Sequence, residues 1–258
     1  MILYPSPITG PVKSRRLGVS LGVNVNPDDG KICTFDCIYC EVGYNASRHA
    51  SKPRPSRPFI AQCLEKKLRE MSEQGIPLDV ITFSGNGEPT AHPHFLDIMR
   101  DTVSLRDRYY PEAKVSVLSN GTMAHRPDVH EALLMADNNI LKLDTVSPEY
   151  IRRVDRPVAQ DYDVARVIET MRSFEGHVVI QTMFMRGVSD EGYDVDNTGE
   201  AFVKPWIEAL RTIKPRQVMI YTINRETPCP TLLKATREQL DAIRDLVKQA
   251  GFDCSVGY

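Results

Sequence analysis

Cys33-Thr34-Phe35-Asp36-Cys37-Ile38-Tyr39-Cys40 places three thiols at x3 and x2 spacing inside one short loop, with no fourth cysteine nearby. Soft thiolates this close together select an iron–sulfur cluster or zinc. A cubane held wholly by protein needs four ligands, so three leave one iron open to a small molecule that the metal can activate. A structural zinc site wants four closed ligands, and His49 is the nearby candidate for the fourth place. A disulfide is the weakest reading. The chain opens Met1-Ile2-Leu3-Tyr4-Pro5, with no basic segment leading into an apolar one, so the expected location is the cytoplasm and the thiols should stay reduced.

Outward from this loop, the composition suits one domain: 258 residues, 41% hydrophobic and 26% charged, enough to bury a substantial core without disulfides. No apolar run approaches membrane-spanning length. The formal net charge of -2 argues against broad polyanion binding and gives an RNA partner no support. Locally the first sixty or so residues are basic, through Lys13, Arg15, Arg16, Lys31, Arg48, Lys52, Arg54 and Arg57 against Asp28, Asp29, Asp36 and Glu41. A solvated face is the usual meaning of such a bias, and a phosphorylated or carboxylated substrate is the sharper one.

Short β-branched runs at 78–83, 115–118, 140–143, 178–181 and 218–221 read as strands, with 19–24 ahead of them and a short 253–257 at the end. Helical stripes lie between. Ile60, Cys63, Leu64, Leu68 and Met71 share a face, as do Phe95, Ile98, Met99 and Val103, then Phe202, Trp206, Ala209, Leu210 and Ile213, and finally Leu240, Ile243, Leu246, Val247 and Ala250. Ser147-Pro148 has the form of an N-cap before a first-turn proline, Thr236 with Gln239 forms a capping-box pattern, and Gly251 can stop the last helix in a left-handed turn. Strand then helix, about six times over, predicts an α/β fold with a parallel sheet and helices outside. That is too few units for the eight-stranded closed barrel, and periodicity alone does not separate an open barrel from a doubly wound sheet.

The cysteine loop, with aromatic Tyr39 just before Cys40, resembles that of the radical S-adenosylmethionine (SAM) superfamily. Upstream, Gly10-Pro11-Val12-Lys13-Ser14-Arg15-Arg16-Leu17-Gly18, continuing Val19-Ser20-Leu21-Gly22-Val23-Asn24, is similar to the opening of the branch that holds 4-demethylwyosine synthase and the molybdenum cofactor cyclase. Downstream, Ser84-Gly85-Asn86-Gly87-Glu88-Pro89-Thr90 resembles the superfamily's Gly-Gly-Glu-Pro segment, with Asn86 where many members have glycine. The resemblance implies a partial (β/α)6 barrel of the radical SAM type: one domain over 1–258, with an N-terminal arm at 1–16 and the barrel at 17–258. Function then belongs at the carboxyl ends of the strands, where both motifs fall.

The resemblance also implies cofactors and a chemistry. Cys33, Cys37 and Cys40 would hold one 4Fe-4S cluster, and SAM would chelate the open iron. An external one-electron donor of flavodoxin or ferredoxin type reduces the cluster, and SAM then breaks into methionine and a 5'-deoxyadenosyl radical that abstracts hydrogen from substrate. Gly85 and Gly87, flanking Asn86, let the backbone turn tightly and approach a ligand, Pro89 stiffens the exit, and Glu88 supplies an acceptor. Tyr39 and the segment from Gly85 to Glu88 are therefore expected at the SAM site. Ser119, Asn120 and Gln181, at strand ends, match positions from which relatives reach SAM, although plain turns would use the same residues. Lys142 and Asp144 alternate with Leu141 and Leu143 and so share one face, which makes Asp144 a further cofactor-site candidate. Arg152, Arg153, Arg156 and Arg225 could clamp a substrate anion, against a simpler reading as surface charge.

Cys63 lies on an apolar stripe and is expected in the core, while Cys229 and Cys254 offer only two distant ligands, so a single cluster is expected. A small-molecule or nucleobase substrate fits the wyosine-synthase-like opening. An activase that installs a glycyl radical on a protein partner is the alternative, and a zinc-held binding module the third.

Overall fold

The computed structural model describes residues 1–14 and 18–258, so Arg15, Arg16 and Leu17 of the N-terminal motif lie outside the described residues. Strands and helices alternate along the chain, and the architecture is α/β with mostly parallel pairing, as expected from the sequence. No helix among the described residues is long and apolar enough to cross a membrane. The chain divides into two units, one made of residues 3–33 and 45–139, the other of 1–2, 34–44 and 140–258.

In the first unit, β1 (Ile8–Ser14) runs antiparallel to β2 (Gly18–Val23), which pairs in parallel with β3 (Val80–Phe83), itself parallel to β4 (Lys114–Ser119). Thus much of the stretch expected as an arm is a strand, one whose proline, glycine and lysine residues hide the usual alternation. β3 starts later than the apolar run suggests because Asp79 turns its carboxylate onto the amide of Val19, at 2.7 Å. All four residues of β3 are buried, as a strand covered on both faces requires. Helices α1 (Arg57–Glu73) and α2 (Phe95–Tyr109) turn Ile60, Leu64, Leu68 and Phe95, Ile98, Met99 inward, and Phe95 meets Phe83 edge-on at 5.5 Å. Cys63 is only half-buried, at the edge of the α1 stripe. α3 (Pro127–Met135), too short to show a periodic stripe, completes this unit.

In the second unit β5 (Asn138–Lys142), β6 (Val179–Met183), β8 (Gln217–Tyr221) and β10 (Cys254–Gly257) pair in parallel in that order. A separate antiparallel pair, β7 (Met185–Gly187) with β9 (Leu232–Lys234), is too short to announce itself in the sequence. The helices are α4 (Pro148–Val154), α5 (Val164–Arg172), α6 (Glu200–Ile213) and α7 (Arg237–Gln249). Their ends follow the local chemistry. Ser147 caps α4 ahead of Pro148, Thr236 and Gln239 exchange both bonds of a capping box, and Gly251 takes the left-handed conformation after α7. Leu246 departs from its predicted stripe and is 42% exposed.

Trp206 is the largest fully buried side chain among the described residues; its ring meets Phe184 edge-on at 5.4 Å and its indole N–H donates to the carbonyl of Leu143 at 3.1 Å. Leu143 and Asp144 leave β5 together, so this contact also fixes where the strand's carboxyl end points. Trp206→Ala is expected to remove about 3–5 kcal/mol of stability, read by chemical denaturation followed by circular dichroism. A loss below about 1 kcal/mol would show that the indole is not central to the core.

Candidate active site

In the first unit, β2 ends at Val23 and the chain runs through Asn24 to Cys33 along the loop after β3. Ile32 and Gly87 form a parallel bridge: the Ile32 amide donates to the Asn86 carbonyl at 3.0 Å, and the Glu88 amide donates to the Ile32 carbonyl at 3.0 Å. The two glycines make this approach possible. A Cβ on Gly87, whose φ is +122°, would stand 2.0 Å from the Ile32 oxygen, and one on Gly85 would stand 2.6 Å from the Asn24 side chain. Both glycines therefore open space for the protein's own chain just before Cys33.

Asn86 is fully buried. Its side chain accepts from the Tyr4 amide at 2.8 Å and donates to the carbonyls of Tyr4 at 2.9 Å and Pro27 at 2.8 Å. Asn24 mirrors it, donating to the Tyr4 and Pro5 carbonyls and accepting from the amides of Asn26 and Asn86. Glycine at position 86 would take from the Pro27 and Tyr4 carbonyls the Asn86 donor and from the Tyr4 amide its acceptor. The importance of Asn24 was not evident from the sequence, because its partners are far along the chain.

Glu88 is 2% exposed and acts only as an acceptor. It receives both the amide and the hydroxyl of Thr90, the Ser119 hydroxyl at 2.8 Å and the Asn120 amide at 2.7 Å. Burial raises its pKa, opposed by the bonds from Thr90, Asn120 and Ser119. The carboxylate thus ties the end of β3 to the end of β4 and orders the turn at Ser119 and Asn120. From that turn the Asn120 amide group donates toward the Cys33 sulfur, at 3.7 Å. The predicted residues Glu88, Ser119, Asn120 and Cys33 are therefore one connected network.

In the second unit, residues 34–40 are stitched to the end of α4. The Asp36 amide donates to the carbonyls of Asp155 and Arg156, the Ile38 amide to that of Val154 at 2.9 Å, and the Val158 amide to that of Thr34 at 3.0 Å. Cys40 closes a turn on the Cys37 carbonyl at 3.1 Å. Beneath this loop, Lys142 and Asp144 share a face as predicted, with the ammonium 2.6 Å from the carboxylate. Two partners join them. Lys142 also donates to Asp155, and the Tyr39 hydroxyl donates to Asp144. Asp144 further accepts the Met183 amide at 2.9 Å, while Gln181 is half-buried on β6.

The electrostatics follow from burial. Burial opposes the charge on Lys142, but Asp144 and Asp155 outweigh it and raise its pKa well above the ordinary lysine value. Burial, then the charges of Asp144 and Cys37, lift the Tyr39 phenol well above its usual value and keep it a donor. Burial, against Lys142 and with the repulsion of Asp144, pushes the Asp155 carboxyl up to about 6.

The arginines read as surface charge. Arg225 pairs with Glu41 at 2.6 Å, Arg153 with Glu149 at 2.7 Å, and Arg156 with Glu191 at 3.3 Å, while Arg152 is exposed. Two of the early basic residues are likewise paired within the chain: Arg57 is held by Asp101 and Asp97, and Lys52 by Asp28.

None of the cysteines is in a disulfide, and Cys33, Cys37 and Cys40 are each partly exposed, as ligands to an added group must be. Among the described residues no three His, Cys, Asp or Glu side chains converge on a single ion, as mononuclear zinc would require, and His49 is exposed. A cubane makes no such demand, because each cysteine binds a different iron. The donor set fits an iron–sulfur cluster.

Gly87→Ala is expected to displace Ile32 and Cys33, cost more than about 1 kcal/mol and lower the iron bound per chain after anaerobic reconstitution; wild-type iron content would contradict this account of the glycine. Because the folded pKa of Asp155 lies above the unfolded value, the folded state binds the extra proton, and this residue's contribution to stability falls as pH rises between 3.8 and about 6. The unfolding free-energy difference between wild type and Asp155→Asn should change across that window and level off above it. A difference independent of pH would show that Asp155 is not strained by its burial.

The model of the Radical SAM superfamily matches residues 29–196. A UPF0026 protein of Helicobacter pylori is 30% identical over 241 residues, covering 93% of this chain and 72% of that one. Among solved structures, a radical SAM methyltransferase from Sphaerobacter thermophilus superposes with a TM-score of 0.65 at 15% identity, over 92% of this chain and 65% of that chain. TYW1 with a lysine-pyruvate adduct bound superposes with a TM-score of 0.59 at 12% identity, over 89% of this chain and 73% of that chain. Structural likeness at such identities speaks to the fold alone. The family match spans both motifs and both networks described above, and the chain belongs to the radical SAM superfamily, among the UPF0026 proteins, as an iron–sulfur enzyme of the class that uses a 4Fe-4S cluster and SAM.

Proposed function

We propose that this protein cleaves SAM reductively and uses the resulting radical to abstract hydrogen from a small-molecule or nucleobase substrate. When bound through Cys33, Cys37 and Cys40, the 4Fe-4S cluster supplies one electron to the SAM sulfonium, which yields methionine and the 5'-deoxyadenosyl radical. The observation that carries the reading is the three-cysteine loop held by two buried polar networks, with no fourth ligand supplied by its spacing.

The chain's own residues divide the work. Glu88 orders the Ser119 and Asn120 turn, and Asn120 donates toward Cys33, which lowers the electron density at that sulfur. The segment Gly85, Asn86, Gly87 and Glu88, with Ser119, Asn120, Tyr39, Asp144 and Gln181, is proposed to form the surroundings of SAM. The buried members, Tyr39, Asn86, Glu88, Ser119, Asn120 and Asp144, would help to exclude water from a reactive carbon. The electron comes from a donor of flavodoxin or ferredoxin type, in a reducing compartment such as the cytoplasm. The Sphaerobacter and TYW1 structures support the fold of this reading, and the substrate class rests on the wyosine-synthase-like opening of the sequence.

Cys33→Ala, Cys37→Ala and Cys40→Ala should each abolish formation of 5'-deoxyadenosine by reduced, reconstituted protein, and Cys63→Ala should leave it nearly intact. Undiminished product from any loop variant would overturn the ligand assignment. Deuterium carried from a labelled substrate into 5'-deoxyadenosine identifies that substrate. A glycyl-type protein radical formed on an added partner protein would instead replace the small-molecule reading with the activase.

A further inference from the structure

We infer that Lys142, Asp144 and Asp155 form a buried charge trio, attached to the cysteine loop, whose net charge tunes the reduction potential of the iron–sulfur cluster. This rests on the assignment of Cys37 and Cys40 as cluster ligands and adds to it a role for charged residues that do not ligate the metal.

The trio is built into the loop's foundation. The side chains of Lys142, Asp144 and Asp155 are 14%, 1% and 3% exposed, and the one ammonium faces both carboxylates. The same ammonium lies 5.3 Å from the ring of Phe35 and 5.4 Å from that of Tyr39, the two residues that bracket Cys37 at equal spacing. Tyr39 then returns a hydrogen bond to Asp144, and the backbone of Asp155 and Val154 accepts from Asp36 and Ile38. Every member thus bears on the stretch between Cys33 and Cys40 by a direct contact.

Stability alone does not account for such an arrangement. Two carboxylates and one ammonium leave an excess negative charge out of water, and apolar side chains of the same size would ordinarily hold the loop at lower cost. The excess charge has an effect at a distance that packing lacks. In a medium of low effective dielectric, a unit charge shifts the free energy of adding an electron nearby by an amount that matters chemically. The potential of an iron–sulfur cluster responds to net charge around it. A net negative trio makes reduction harder and the reduced cluster a stronger donor. Lys142 restrains that effect, and the carboxylates supply it. They are positioning residues in this sense and not catalytic ones.

The substitutions that separate tuning from simple support are those of opposite charge sense. Wild type, Asp155→Asn and Lys142→Gln are reconstituted anaerobically, assayed for iron, and titrated with dithionite against mediators at pH 8, with the reduced cluster followed by electron paramagnetic resonance. Asp155→Asn should raise the midpoint, by about tenfold in the reduction equilibrium or about 59 mV for a one-electron couple, and Lys142→Gln should lower it. Should Asp155→Asn fail to hold iron, Asp144→Asn carries the same expected sign and takes its place. Midpoints that move in the same direction for both charge senses, or an unmoved midpoint in an aspartate variant with wild-type iron content, would overturn the inference while leaving SAM cleavage standing. A wild-type protein that takes up no cluster would overturn both.

Discussion

A cubane held by three sulfur donors is one protein ligand short, and around Cys33, Cys37 and Cys40, the proposed donors, the polypeptide is fixed by its own contacts. A loop with four ligands is held in shape largely by its metal. One with three must present its sulfurs from a frame that the protein itself maintains, and the frame here is polar and buried. Glu88 accepts four hydrogen bonds on one side of the problem, and Lys142 answers two aspartates on the other. Each network contains a residue that reaches the cysteine loop, Asn120 in the first case and Tyr39 in the second.

Buried polar networks of this kind are costly unless every member is satisfied, and they are specific when it is. The Asn24 and Asn86 pair illustrates the gain. Between them they satisfy carbonyls and amides of Tyr4, Pro5, Asn26 and Pro27, so the segment that leads into Cys33 has one arrangement in preference to many. Gly85 and Gly87 belong to the same design, since their missing side chains admit Asn24 and the Ile32 carbonyl. A glycine-rich turn beside a cofactor motif is naturally read as room for a ligand. In this protein the room next to both glycines is occupied by the Asn24 side chain and the Ile32 carbonyl of the segment leading to Cys33, so the motif holds that segment by direct contact.

Much of this was legible in the sequence, for physical reasons. Strands buried on both faces announce themselves as continuous β-branched runs, which is why β3, β4 and β8 stand out, and a helix such as α7 carries its capping box and stripe in local spacing. The cysteine loop was legible because ligand spacing within one loop is a local property. Features set by distant partners were not. β1 is a strand only because β2 lies beside it, and β7 with β9 is a pair of three-residue segments that pairing alone defines. Lys142 and Asp144 could be placed on one face by alternation, but Asp155 joins them from beyond α4, and nothing in its neighbourhood of sequence marks it. The same holds for Asn24, which reads as the last polar residue of a strand until its partners are seen.

In the proposed enzyme the cluster keeps one iron free of protein and offers it to SAM. Electron paramagnetic resonance of the reduced, reconstituted protein, recorded with and without SAM, tests this most directly. Binding of the SAM amine and carboxylate to a unique iron should change the spectrum of the reduced cluster at stoichiometric addition. A cluster signal that SAM leaves unaltered, in protein shown to bind SAM, would mean that all four irons are already committed and that the chemistry drawn from the three cysteines is wrong.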